Sequence, residues 1–379
     1  MTRETIATEP VPASLDLAQP SRIRELDGLR GVAILAVFCH HVLFTTVPAL
    51  DQWSFPVRVV EGFAHLGIYG VDLFFVLSGF LITSILLADR SRPHYYWNFY
   101  WRRALRILPL YVIVLVWLAV VFPFTHRYLL LATVFLANFE HLFHLHAYGP
   151  FWTLGIEEQF YLLWPRLTRY RTVEGLLKLS IGVACACLGL RMVNAMILGH
   201  SNYRFTFFHC DGLAMGAALA CQLSLLRSAS PEEVRSAKLI RGLWMTGGAG
   251  LALVVLATVL PRTERSVGLF SPFVLTGVNL LGYCAVKISV VFSGARFLAI
   301  LRSRVLVFFG LISYAMYLFN EYVIGYFDST RARIHVGSTS GYFARFLVIL
   351  AATVALSLIS RYAIELPAMS LRRFVLRRS

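Results

Sequence analysis

Arg30 and His41 stand eleven residues apart, within Arg24-Glu-Leu-Asp-Gly-Leu-Arg-Gly-Val-Ala and the apolar stretch that follows it. On a helix that spacing makes three turns plus about 20° and a rise of roughly 16 Å, so guanidinium and imidazole share a face at different depths. Such a pair suits a long substrate with an anionic head and a reactive far end, because arginine holds anions and imidazole moves protons near neutral pH. His40 lies about 100° round the same helix. A plainer reading makes Arg30 a charge anchor, Asp27 the N-cap of the helix and His41 a hydrogen-bonding group between helices. Ionisable groups inside an apolar segment are rare and usually functional, which favours chemistry.

Three further runs carry reactive groups. Gly70-Val-Asp-Leu-Phe-Phe-Val-Leu-Ser-Gly-Phe puts Asp72 and Ser78 inside an apolar stretch, where Gly70, Ser78 and Gly79 also suit close helix packing. Arg103 and Arg106 stand three apart on one helical face, spaced to grip a phosphate, and equally to mark a span entrance. Phe151-Trp-Thr-Leu-Gly-Ile-Glu-Glu-Gln-Phe-Tyr-Leu-Leu-Trp-Pro buries Glu157, Glu158 and Tyr161. Asp72 and Glu157 are both expected about 9 Å below the outer surface, close to the level of His41. Unpaired, each charge would cost about 3 kcal/mol, so they must pair with a basic group such as Arg191 or line a wet cavity. Asp211 adds a carboxylate near the outer part of a later span, and Asn320, Glu321 and Glu365 add polar positions with no role assigned.

The elements that must position these groups follow from composition. Of 379 residues, 58% are apolar and 15% charged, which points to a membrane protein rather than a soluble domain. At about 20 residues per crossing, spans are expected near 29–48, 66–88, 107–123, 150–166, 174–198, 205–226, 240–260, 269–290, 305–326 and 342–364. Leu129 to Leu142 is apolar but short and ends in Glu140, His141, His144 and His146, so it is expected to be re-entrant or interfacial. The expected fold is therefore all-α and polytopic, with about ten transmembrane helices.

The net charge of +15 would suggest nucleic acid in a soluble protein, but here the basic residues lie between spans. They read as topology signals, and no nucleic-acid partner is expected. Most of the 35 Lys and Arg residues fall on one side when the N-terminus is cytoplasmic, which predicts cytoplasmic termini. The boundaries are a polar tail over 1–21, a transmembrane domain over 22–367 and a basic tail over 368–379. No cleavable signal is expected before the first span. The six cysteines all sit in apolar runs, where no disulfide framework is expected. Cys185 and Cys187 have a metal-like spacing, but a helix turns them about 200° apart, so no metal is expected.

At these residues the chain resembles the membrane-bound acyltransferase 3 family, bacterial enzymes that O-acylate surface sugars, exported glycans and some secreted antibiotics. The resemblance runs from about Arg22 to Pro367. It rests on the Leu-Asp-Gly-Leu-Arg-Gly start with its histidine eleven after the arginine, the Asp72 run, the Arg-x-x-Arg pair and the Glu-Glu-Gln-Phe-Tyr-Leu-Leu-Trp-Pro run, in family order. It implies that His41 is the essential histidine and that Arg103 and Arg106 serve the acyl-CoA end. It also implies a bacterial inner-membrane location and a stand-alone form without an appended extracellular hydrolase-like domain. The chain departs from the family pattern at Asn320, where a histidine is common, and at His209, where an arginine is common.

The mechanism this implies docks the phosphates of acyl-CoA, most simply acetyl-CoA, on Arg103, Arg106 and Arg30, with the pantetheine arm running along the first helix. Acyl-CoA acts as co-substrate, with no permanently bound cofactor. His41 is then the general base on an acceptor hydroxyl of a glycan, lipid-linked sugar or secreted small molecule, oriented by Glu157 or Asp72. A covalent acyl-histidine fits the same geometry. The acceptor is expected near the outer segments Pro48 to His65 and Glu140 to Phe151. Besides membrane lipids these are the expected partners. A transporter or flippase of a polar lipid-linked substrate would keep similar charges at mid-membrane.

Overall fold

The computed structural model describes residues 23–44, 66–147, 149–198, 204–226, 237–259, 264–329 and 339–375. Ten long helices carry it: α1 (Arg24–Phe44), α2 (Gly70–Ala88), α3 (Tyr95–Val121), α4 (Phe151–Tyr170), α5 (Val173–Leu198), α6 (Asp211–Leu225), α7 (Ala237–Val259), α8 (Glu264–Val291), α9 (Arg304–Ser329) and α10 (Thr339–Ser360). No strand occurs among the described residues. Seven helical stretches are long and apolar enough to cross a membrane, and α4, α6 and α7 are shorter or more polar. Side chains such as Val116, Val120, Leu162, Leu163, Ile197 and Trp244 are exposed on the outside of the bundle, as they must be where the solvent is lipid. The chain is a multi-pass, all-α membrane protein.

The ten expected spans correspond to these ten helices, with shifted ends. α1 begins at Arg24, a turn earlier than expected. Leu26 N–H already bonds to the Ile23 carbonyl, so Asp27 lies inside the first turn instead of capping it. The expected span at 205–226 is broken: a single turn, Thr206–His209, precedes α6. α10 runs into a π turn, Arg361–Glu365, before Leu366–Ser370. Between α3 and α4 the chain makes a short helix, His126–Thr133, and a 3₁₀ turn, Ala137–Phe143. Neither can cross a bilayer. Their Tyr128, Leu129, Ala132 and Ala137 pack on Leu110, Phe151 and Leu318 of α3, α4 and α9.

Two crossings made by glycine fix the interior. α1 lies along α9, and a methyl group on Gly28 or Gly310 would run into the carbonyls of Leu301 or Asp27. α2 lies along α6, where Gly79 and Gly216 approach the carbonyls of Leu213 and Val76. Without a hydrophobic force between helices in lipid, such backbone approach supplies the packing. Gly79→Val is expected to lower stability by about 1–3 kcal/mol, read as a drop in melting temperature in detergent. Gly182 has open space around it, so Gly182→Ala should leave the melt unchanged.

Candidate active site

The crossings of α1, α2, α3, α4 and α9 enclose a cavity of about 200 Å³. Arg30, Ser78, Arg103, Arg106, Glu157 and Tyr161 are its principal polar wall, and apolar residues such as Phe74, Leu81 and Ile85 complete it. Four of the sequence runs thus converge on one space. α4 is held there by Gln159, whose amide donates to the Phe135 carbonyl at 2.8 Å and to Asn138 Oδ1 at 2.9 Å.

Arg103 is fully engaged within the protein. Its Nε donates to Glu158 Oε1 at 3.1 Å, its Nη2 reaches Glu157 Oε2 at 3.5 Å, and its guanidinium carbon lies 3.2 Å from the Tyr161 ring centroid. Ser78 Oγ donates to the other oxygen of Glu157 at 2.9 Å. The buried glutamates therefore take their cation from α3, and Arg191 serves elsewhere. Arg106 differs: it opens to the cavity and makes no hydrogen bond or ion pair with a described residue; Arg30 and Arg103 are its like-charged neighbours, and Glu365 offsets part of its charge from further off. Arg30 has only a 3.4 Å contact with Asp27. Arg30 and Arg106 are held less tightly by carboxylates than Arg103 is, and guanidinium groups so placed on one cavity wall attract phosphate.

His41 lies further along α1, outside the lining of this cavity. Its Nδ1 is 2.5 Å from Asn320 Oδ1 and its Nε2 is 3.7 Å from Glu321 Oε1, both on α9. The ring is half-buried, with polar groups of α9 toward both of its nitrogens. His40 is beside it, ring centroids 5.6 Å apart. Tyr317 links the two regions: its ring lines the cavity, its hydroxyl is 2.9 Å from Thr153 Oγ1, and its backbone carbonyl accepts from Asn320 Nδ2 at 2.7 Å.

The carboxylates expected to orient His41 do other work. Asp72 is buried and accepts from His209 Nε2 at 3.0 Å. The His209 ring in turn packs edge-on against Phe75 and Trp152. Asp211 pairs with Arg191 at 2.8 Å, and Arg191 also donates to Thr276 Oγ1 at 2.7 Å. These pairs lie where α2, α5, α6 and α8 meet. Glu157 faces Arg103. Matching depth along separate helices did not make these groups neighbours, because the azimuth of each side chain is set by the crossings. Asn320 and Glu321 are the partners that sequence reasoning passed over. The available signal was their occurrence as polar neighbours within an apolar span. Of the segments expected near an acceptor, Pro48 to His65 lies outside the described residues, while His141 within the Ala137–Phe143 turn and His144 just after it are exposed.

The chain is 27% identical over 335 residues to the peptidoglycan O-acetyltransferase OatA of Listeria monocytogenes, covering 80% of this chain and 49% of that protein. It is 27% identical over 339 residues to the O-acetyltransferase OatA of Staphylococcus aureus, covering 82% and 52%. A putative peptidoglycan O-acetyltransferase of Bacillus subtilis, YrhL, is 35% identical over 161 residues, 37% of this chain and 23% of that protein. The chain thus spans about half the length of the first two relatives. No solved structure matches. The sequence profile of the acyltransferase 3 family, described as an acyltransferase domain, matches residues 23–362, and with the shared cavity motifs in place the chain belongs to that family.

Proposed function

We propose that this chain is a membrane-bound O-acyltransferase that moves an acetyl group from acetyl-CoA to a hydroxyl of a glycan, with peptidoglycan or its lipid-linked precursor as the acceptor class. The observation that carries the reading is the cavity beside α1, with two arginines on its wall that are less tightly paired than Arg103 and a histidine further along the same helix. Arg106 and Arg30 bind the phosphates of the donor at the cytoplasmic face, while Arg103 holds the two glutamates that shape the wall. The pantetheine arm follows α1 toward His41. Nε2 of His41 takes the proton of the acceptor hydroxyl as its oxygen attacks the thioester carbonyl. The new C–O bond forms, the C–S bond breaks, and the proton passes from the imidazolium to the departing thiolate, giving acetyl ester and free CoA-SH. Proton transfer by a placed histidine contributes about 10² to 10⁴ in rate. Peptidoglycan comes from the names of the relatives in Listeria monocytogenes and Bacillus subtilis.

Purified full-length chain in liposomes, given [¹⁴C]acetyl-CoA and peptidoglycan fragments, is expected to place label on the glycan as a base-labile ester. Movement of the glycan across the bilayer without consumption of acetyl-CoA would overturn the reading in favour of a transporter. Arg106→Ala is expected to raise KM for acetyl-CoA about 10-fold or more with a smaller change in kcat, as loss of a charge-assisted contact worth about 1.5–3 kcal/mol requires. An unchanged KM would remove Arg106 from the donor site.

A further inference from the structure

We propose that Asn320 is a positioning residue that locks His41 in the Nδ1–H tautomer, leaving Nε2 as the proton-accepting atom, and that Glu321 steadies the imidazolium formed there. This rests on the reading of His41 as the base. The tautomer follows from elementary hydrogen-bond bookkeeping. Asn320 Nδ2 lies 3.2 Å from the Met316 carbonyl and 2.7 Å from the Tyr317 carbonyl, one turn back on its own helix. Carbonyl oxygens only accept, so the amide atom facing them is the NH₂ group. The atom facing His41 is therefore the amide oxygen, which also only accepts. At 2.5 Å from it, Nδ1 carries the hydrogen. A neutral imidazole has one N–H, so Nε2 holds the lone pair.

Asn320 is buried and its helix cannot rotate freely, because Gly310 on α9 is pressed against the Asp27 carbonyl of α1. The amide is thus clamped by backbone on one side and presented to His41 on the other. Glu321 Oε1 sits 3.7 Å from Nε2, beyond a hydrogen bond but close enough for an ion pair once the ring is charged. The two adjacent residues meet the two ring nitrogens, one setting which is protonated at rest and the other favouring the charge that develops. His209, Asp72 and Asp211 lie in a separate buried cluster and do not face the ring.

The test uses full-length chain in nanodiscs with ¹⁵N-labelled histidine, taking His41→Gln to identify the ring signals. Wild type is expected to show a protonated Nδ1 and an unprotonated Nε2. Asn320→Leu should shift the neutral ring toward the Nε2–H form and lower kcat about 10²-fold with KM for acetyl-CoA unchanged, because the wrong nitrogen then faces the acceptor. Asn320→Asp, which also presents an oxygen to Nδ1, should restore most of that kcat. Glu321→Gln should leave the resting tautomer alone and lower kcat about 10-fold. A wild-type ring protonated on Nε2, or Asn320→Leu with an unaltered tautomer and kcat, would overturn the proposal while the base reading stands. An active His41→Gln would instead overturn the base reading, and the NMR result would still decide the tautomer.

Discussion

His41→Ala is expected to bring acetyl transfer down to the background of the assay, a fall of at least about 10² to 10⁴, while the protein still inserts and purifies with only a modest drop in melting temperature. The size follows from the role: Asn320 and Glu321 face the two ring nitrogens of His41, and the neighbouring His40, ring centroids 5.6 Å away, is turned round the helix. Only a modest drop in the melt is expected. His41 is half-buried and its removal leaves no charge sealed in the core, but the buried Asn320 Oδ1 loses its partner, at a cost of about 1–3 kcal/mol. His40→Ala is the control, with transfer expected to persist. Undiminished transfer by His41→Ala, measured with labelled acetyl-CoA, would remove the histidine from the reaction.

The second large effect is expected at Arg103, and it is one of stability first. Arg103→Met leaves the part-buried Glu157 and Glu158 beside the cavity without their cation. Breaking one side of a fully buried ion pair costs about 3–5 kcal/mol, much of it the penalty for the charge left behind, and the access these carboxylates have to the cavity brings the expected loss to about 2 kcal/mol. The stacking on Tyr161 is lost as well. Folded yield and melting temperature should fall together, and activity should fall with them. Adding Glu157→Gln and Glu158→Gln to Arg103→Met should recover much of the melting temperature without restoring transfer, since neutral amides no longer need the cation. Arg103→Lys should recover stability only in part, because an ammonium cannot reach two carboxylates and stack on a ring at once. If Arg103→Met melts normally and only raises KM for acetyl-CoA, then Arg103 is chiefly a donor-binding residue, as the Arg-x-x-Arg resemblance implies.

Arg103 and Arg106 show how far the sequence could be read. Their spacing placed both on one face at a helix entrance, and both do line the cavity. Which of them keeps its charge available was decided by α4, whose Glu157 and Glu158 capture Arg103 and pass Arg106 by. Asp72 tells the same story. Its burial inside a span was legible from apolar neighbours, and its pairing with His209 was not, because that contact spans 137 positions of chain and depends on the α2–α6 crossing at Gly79 and Gly216.

By itself the sequence determined the membrane class, the number and approximate limits of the long helices, the non-spanning stretch at Leu129 to Leu142, and the one face shared by Arg30 and His41. These depend on hydropathy and helical period, which are local properties of the chain. Only the tertiary structure decided which buried charges meet: Arg103 with Glu157 and Glu158, Asp72 with His209, Arg191 with Asp211, and His41 with Asn320 and Glu321. Depth in the bilayer is written along each helix, but the direction a side chain faces is set by its neighbours, through backbone contacts that a list of apolar residues does not specify.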